Sequence, residues 1–124
     1  MKASKDCIFC KIARGEMPAE KVKDSPNFFA ILDKFPTSQG HTLIIPKKHF
    51  VTILDIPSTL GQELLKITKD VASELLDKKF GDGFNIVQNN LEVAGQVVMH
   101  AHFHVIPRKE NDGLRFVYNV NKKK

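Results

Sequence analysis

"HAHFHVIPR", His100–Arg108, sets three histidines at alternating positions in a 124-residue chain that holds five in all. A buried neutral imidazole carries both a donor and an acceptor, and each needs a partner, so histidines are not gathered into one segment without a use. In an extended strand successive side chains point to opposite faces. His100, His102 and His104 then share one side, while Met99, Ala101, Phe103 and Val105 turn toward the core on the other. A rise of about 3.4 Å per residue spaces successive rings roughly 7 Å apart. The segment reads as part of a strand over residues 97–106, lined along one side by imidazoles.

Upstream, "GFNIVQN" (83–89) reads as the strand before it, joined by the polar, glycine-containing loop "NNLEVAGQ" (89–96). A long helix is expected over 58–79. Ser58 stands as its N-cap after Pro57, and Leu60, Leu64, Ile67, Val71 and Leu75 recur at spacings of three and four. "EKVKD" (20–24) and "NFFAILD" (27–33), parted by Ser25 and Pro26, read as a hairpin, and "HTLIIP" (41–46) as a third strand. "CIFCKIARG" (7–15) suits a short helix ended by Gly15. The expected fold is α+β: a five-stranded antiparallel sheet with one long and one short helix against one face. Its other face then needs a ligand or a partner.

The length suits one domain over 1–124, with a core at about 7–108 and a tail at about 109–124. Apolar residues make up 42% and charged residues 27%, and no apolar run approaches the roughly 20 residues of a membrane span. "MKASKDCIFCK" lacks the apolar stretch of a signal peptide, and two cysteines cannot make a multi-bridge secreted scaffold, so a cytoplasmic protein is expected. The formal charge of +5 comes from scattered lysines. The run "NKKK" reads as a solvated terminus, and no nucleic-acid partner is expected.

Three uses of the histidine row compete. Two imidazoles at i and i+2 with a third ligand could hold a catalytic zinc. Alternatively, one ring nitrogen attacks phosphorus while the other donates to a carbonyl that fixes its tautomer. The bland alternative is a solvent-facing row with no role. The surroundings favour phosphorus: the 89–96 loop could aim Asn89, Gln96 and backbone N–H groups at an oxyanion, and protonated His104 or His41 could relieve phosphate charge.

The segment "HAHFHVI" resembles the His-φ-His-φ-His-φ-φ signature of the histidine triad (HIT) superfamily of nucleotidyl hydrolases and transferases. "CIFCKIARGEMPAEKV", "FAILDKFPTSQGHTLIIPKKH" and "GFNIVQNNLEVAGQVVMHAHFHVIPR" are similar to successive HIT segments in the usual order, over roughly residues 7–108. The N-terminal half resembles the Hint branch, while "AGQ" and "HVIPR" also resemble the Fhit branch and many bacterial and archaeal members.

The resemblance implies that His102 is the nucleophile that takes the nucleotidyl group, that His100 orients it, that His104 contacts the phosphate and that His41 is a fourth active-site histidine. It assigns Asp33 to the ribose hydroxyls, Asn89 and Gln96 to the phosphate, and Phe9, Ile12, Ile31 and Leu43 to the cleft around the base. It further implies a purine nucleotide substrate, a homodimer and chemistry that requires no cofactor. Val97 departs from the Hint pattern, where a serine usually contacts the scissile phosphate. Dinucleoside polyphosphates and other adenylylated compounds thus stay open beside phosphoramidates.

Cys7 and Cys10, one helical turn apart, are close enough to share a metal. His49 and His100 are the histidines left to complete a closed structural zinc site, a set that some HIT proteins with this CxxC carry. Two free buried cysteines beside a surface His49 is the competing reading. A zinc-dependent hydrolase built on the triad and a nucleotide-binding module with little turnover remain the alternative functions.

Overall fold

The structure, a computed structural model, describes residues 6–115. The tail stretch "LRFVYNV" (114–120), whose alternation reads from sequence as a strand, lies outside the described residues from 116 onward, and "NKKK" (121–124) lies wholly outside them. Among the described residues the elements run α1 (Ile8–Ala13), β1 (Lys21–Asp24), β2 (Phe28–Leu32), β3 (Thr42–Pro46), α2 (Gly61–Asp77), β4 (Gly83–Val87) and β5 (Phe103–Arg108). The strands form one antiparallel sheet in the order β1-β2-β3-β5-β4, so the fold is α+β with one long and one short helix. No helix among the described residues is long and apolar enough to cross a membrane.

Strand alternation divides the apolar residues between two layers. Phe28, Ala30, Ile44, Phe103 and Val105 face α2, where they meet Ile67, Val71, Ala72 and Leu75. Phe29, Ile31, Leu43 and Ile45 face the other way and are covered by Cys7, Phe9, Cys10 and Ile12 of the α1 region. The two helices therefore lie on opposite faces, not against one. The second face is closed by α1, with the histidines at the border of that layer. Periodicity shows that a helix has an apolar side, but not which side of a sheet it meets.

Two boundaries also differ from the expectation. Ser58–Leu60 is a separate 3₁₀ turn, and α2 begins at Gly61 with no side-chain cap. The first turn of α2 instead sends Glu63 to the β1–β2 turn, where its carboxylate accepts from Ser25 Oγ (2.6 Å) and Asn27 N (2.6 Å). At the other end of the chain, β5 starts at Phe103 and not at Val97. It pairs with β3 only from Ile44↔Phe103 to Thr42↔Val105. Residues 100–102 precede the ladder, and the Ala101 N–H is held by the Phe50 carbonyl at 2.6 Å. Met99 is partly exposed and does not pack in the core.

Gly40 delivers the chain into β3. Its φ of +90° is a conformation that suits glycine, and a Cβ there would lie 3.0 Å from both Leu75 and Phe80. The next residue is His41.

Candidate active site

His104 sits within the sheet, paired with Leu43 on one side and Val87 on the other. His102, one residue before the ladder, stays on the same side. The two rings are 5.1 Å apart, closer than an ideal strand would hold them. The edge of Phe9, from α1, meets the His102 ring at 5.1 Å and the His100 ring at 5.7 Å.

Backbone atoms set the imidazole tautomers. His102 Nδ1–H donates to the His100 carbonyl at 2.8 Å, which leaves the lone pair of the neutral ring on Nε2. The Thr37 N–H donates to His41 Nδ1 at 3.0 Å, so neutral His41 carries its proton on Nε2. That N–H faces His104 Nδ1 at 2.9 Å, and the proton of neutral His104 is then on Nε2. Asp33 stands beside the pair, its Oδ2 3.5 Å from His41 Nε2 and its Oδ1 accepting from the Phe35 N–H.

His100 turns away from this group. Its Nε2–H donates to the Pro46 carbonyl at 2.8 Å, so its Nδ1 lone pair points at Cys7 Sγ (3.3 Å), Cys10 Sγ (3.5 Å) and His49 Nδ1 (3.2 Å). Cys10 Sγ lies 3.3 Å from His49 Nδ1. A tetrahedral zinc with bonds of about 2.0–2.1 Å to nitrogen and 2.3 Å to sulfur has edges of roughly 3.3–3.8 Å between ligands. These four of the six separations lie at or just below those edges, all the ligand atoms lie within 4.8 Å of one another, and the Pro46 carbonyl supplies the outer hydrogen bond a ligating imidazole normally has. An open groove of about 410 Å³, lined in part by Cys7, His49, Val97 and Met99, gives a path to the cluster.

A family model described as the HIT domain matches residues 14–111. The chain belongs to the HIT family. A HIT-like protein of Methanocaldococcus jannaschii is 49% identical over 109 residues, covering 86% of this chain and 82% of its own. An adenosine 5′-monophosphoramidase of Candida albicans is 40% identical over 114 residues, covering 89% of this chain and 75% of that protein. The crystal structure of a zinc-bound histidine triad family protein from Mycobacterium smegmatis aligns with a TM-score of 0.85 at 35% identity, covering 98% of this chain and 88% of that one.

Within this HIT site, Gln96 is not free for a phosphate. It is buried, its Oε1 accepts from the Leu91 N–H at 2.6 Å, and its Nε2 donates to the carbonyls of Val51 (2.6 Å) and Val98 (3.0 Å). These bonds hold Leu91 at a φ of +74°, a strained value for leucine, and fix the loop. Gln96→Ala is expected to cost about 1–3 kcal/mol in urea denaturation through the lost hydrogen bonds. A change within a few tenths would show that the loop does not depend on the brace. Asn89 is only half-buried, with a long 3.5 Å contact to the Gly95 carbonyl. Phe9, Ile12, Ile31 and Leu43 are all buried within the α1 layer.

Burial works against the expected cationic help from His104 or His41 in the free HIT site, with Asp33 opposing it in part. Burial lowers the pKa of His41, and it pushes His104 down to about 4, where His102 and His41 add to the effect. Burial likewise takes His100 down to about 4. The free site therefore offers neutral N–H donors and lone pairs. Unfolded histidines take up protons near 6.5, so the unfolded chain binds more protons between about 4 and 6.5, and stability falls as pH drops through that window. Metal-free protein is expected to lose on the order of 2–4 kcal/mol between pH 7.5 and 5 in chemical denaturation, after allowance for the partly exposed His104. A flat profile would contradict neutral buried imidazoles.

Proposed function

We propose that this HIT protein is a nucleotide hydrolase or transferase that cleaves at the α-phosphorus of nucleoside phosphoramidates, dinucleoside polyphosphates or related adenylylated compounds. The observation that carries the reading is the bond from His102 Nδ1–H to the His100 carbonyl, which leaves Nε2 free to attack. In the first step a bond forms between Nε2 and phosphorus, and the bond from phosphorus to the leaving group breaks. The leaving group departs with a proton. Water then cleaves the nucleotidyl-histidine and releases a nucleoside monophosphate.

Neutral His104, its Nδ1 occupied by His41, offers Nε2–H to the phosphate oxygens. Asp33 is the group for the ribose hydroxyls, and the rim of the α1 layer at Phe9, Ile12, Ile31 and Leu43 is the surface for a purine. Val97 has no hydroxyl and Gln96 is engaged, which leaves Asn89 to meet the leaving group. The 40% identical monophosphoramidase supports an adenosine phosphoramidate as the first substrate to try.

Cys7, Cys10, His49 and His100 would hold a structural zinc, which stabilises the fold and leaves the chemical step to the histidines. The zinc-hydrolase alternative is disfavoured because the Nδ1 lone pair of His100 faces the cysteines and that of His104 is taken by His41. Two free thiols suit a reducing compartment, here the cytoplasm. A homodimer through β4 is supported by the exposed Phe84 and Ile86 on that edge strand.

The test is intact-mass spectrometry after brief incubation with adenosine 5′-phosphoramidate or a dinucleoside polyphosphate, with and without EDTA. A transient gain of one AMP that survives EDTA is expected. Tight binding with neither adduct nor AMP release would favour the nucleotide-binding module, and activity abolished by EDTA would favour a catalytic metal.

A further inference from the structure

His100 belongs to two arrangements at once. Its ring Nδ1 points into the cluster with Cys7, Cys10 and His49, while its carbonyl accepts the Nδ1–H of His102. One residue thus links a set of metal-ligating atoms to the orientation of the attacking ring. A second link runs through α1. Cys7 caps this helix and Cys10 lies in its first turn, and Phe9 between them packs edge-on against both the His100 and His102 rings. A third fastening lies beside them, where the Ala101 N–H is bound by the Phe50 carbonyl, next to His49.

The four ligating side chains come from three separate pieces of chain: α1, the segment after β3 and the segment before β5. Residues 100–102 lie outside the β ladder, so little regular structure fixes the peptide whose carbonyl holds His102. A metal that joins the three pieces would supply that fixing.

We propose that occupancy of the Cys7–Cys10–His49–His100 centre sets the orientation and tautomer of His102, so that zinc controls the rate of nucleotidyl transfer without touching the substrate. The proposal rests on the assignment of His102 as nucleophile and of the four residues as a metal centre. His100 acts here as a positioning residue: with no metal on its Nδ1, the ring is left to its bond with the Pro46 carbonyl and the peptide to the Ala101 N–H bond with Phe50, the carbonyl turns more freely, and His102 samples both tautomers.

The experiment compares zinc-loaded protein with protein stripped by a strong chelator. It reads the His102 ring nitrogens by long-range ¹H–¹⁵N NMR and the rate of AMP-adduct formation by mass. Loaded protein is expected to show one tautomer with the proton on Nδ1. Stripped protein is expected to show averaged ring-nitrogen shifts and roughly tenfold slower adduct formation, both restored by zinc(II). Cys10→Ser should match stripped protein even in excess zinc. Val71→Ala, which loosens the opposite layer, should leave the His102 ring shifts unchanged and so separates positioning from general destabilisation.

Stripped protein that keeps a single tautomer and its full rate overturns the coupling and leaves the other two assignments standing. A chain that takes up no zinc overturns the metal centre and the coupling together. A tautomer that follows zinc in protein that forms no adduct supports the coupling and overturns the catalytic assignment instead.

Discussion

His102→Ala is expected to eliminate the AMP adduct and to slow release of the nucleoside monophosphate by roughly 10⁴-fold or more, the scale of removing an attacking group. On the proposed mechanism the substitution removes the atom that forms the bond to phosphorus, with no neighbour placed to replace it. His104 Nδ1 is engaged by His41, and the His100 lone pair faces the cysteines. His104→Ala should be milder, about 10²–10³-fold, because on the same mechanism it removes a hydrogen-bond donor to the phosphate and leaves the His102 ring in place. Equal losses from the two variants, or an adduct that persists in His102→Ala, would place the attacking atom elsewhere. Thermal melts run beside the kinetics distinguish lost chemistry from lost fold.

Zinc is expected to raise the melting temperature by about 12–20 °C over chelated protein. Free metal at about a thousandfold over its dissociation constant stabilises by about 4 kcal/mol, and each kcal/mol shifts a domain of this size by several degrees. Cys10→Ser should lose this increment, along with stoichiometric zinc in native mass spectrometry. A melting curve that does not respond to zinc would mean that the thiols and imidazoles pack together without serving as a metal site. Four of the six separations among the ligating atoms are 3.2–3.5 Å, close to the edges of a zinc tetrahedron, and all lie within 4.8 Å, which is why a large response is expected.

Residue types and spacing carried much of this architecture. β2 and β3 were legible as apolar runs between turn signals, and α2 as a repeat of apolar residues at three and four. The CxxC and the two remaining histidines marked a cluster that the fold brings together. Around the imidazoles, three things were not legible. β5 begins late because the Ala101 N–H turns to Phe50 and the His100 ring to Pro46, and a strand boundary depends on partners that lie far away in sequence. Gln96 has the chemistry of a phosphate ligand, but its amide is used on three backbone groups. The orienting atoms at the site are main-chain ones, the Thr37 N–H and the carbonyls of Pro46 and His100, and no choice of side chain announces them.

The packing of the two helices on opposite faces of the sheet separates the demands made on this protein. The layer beneath α2 includes Phe28, Ile44, Val71 and Leu75, and none of its residues is a candidate for catalysis, substrate or metal. The usual trade-off between activity and robustness is therefore relaxed for the helix itself, since substitutions at Val71 or Ala72 firm up this layer from the face of the sheet opposite the imidazoles. Selection for a hotter habitat, or an engineer with the same aim, has one whole face of the sheet to work on while the chemistry on the other is left as it stands.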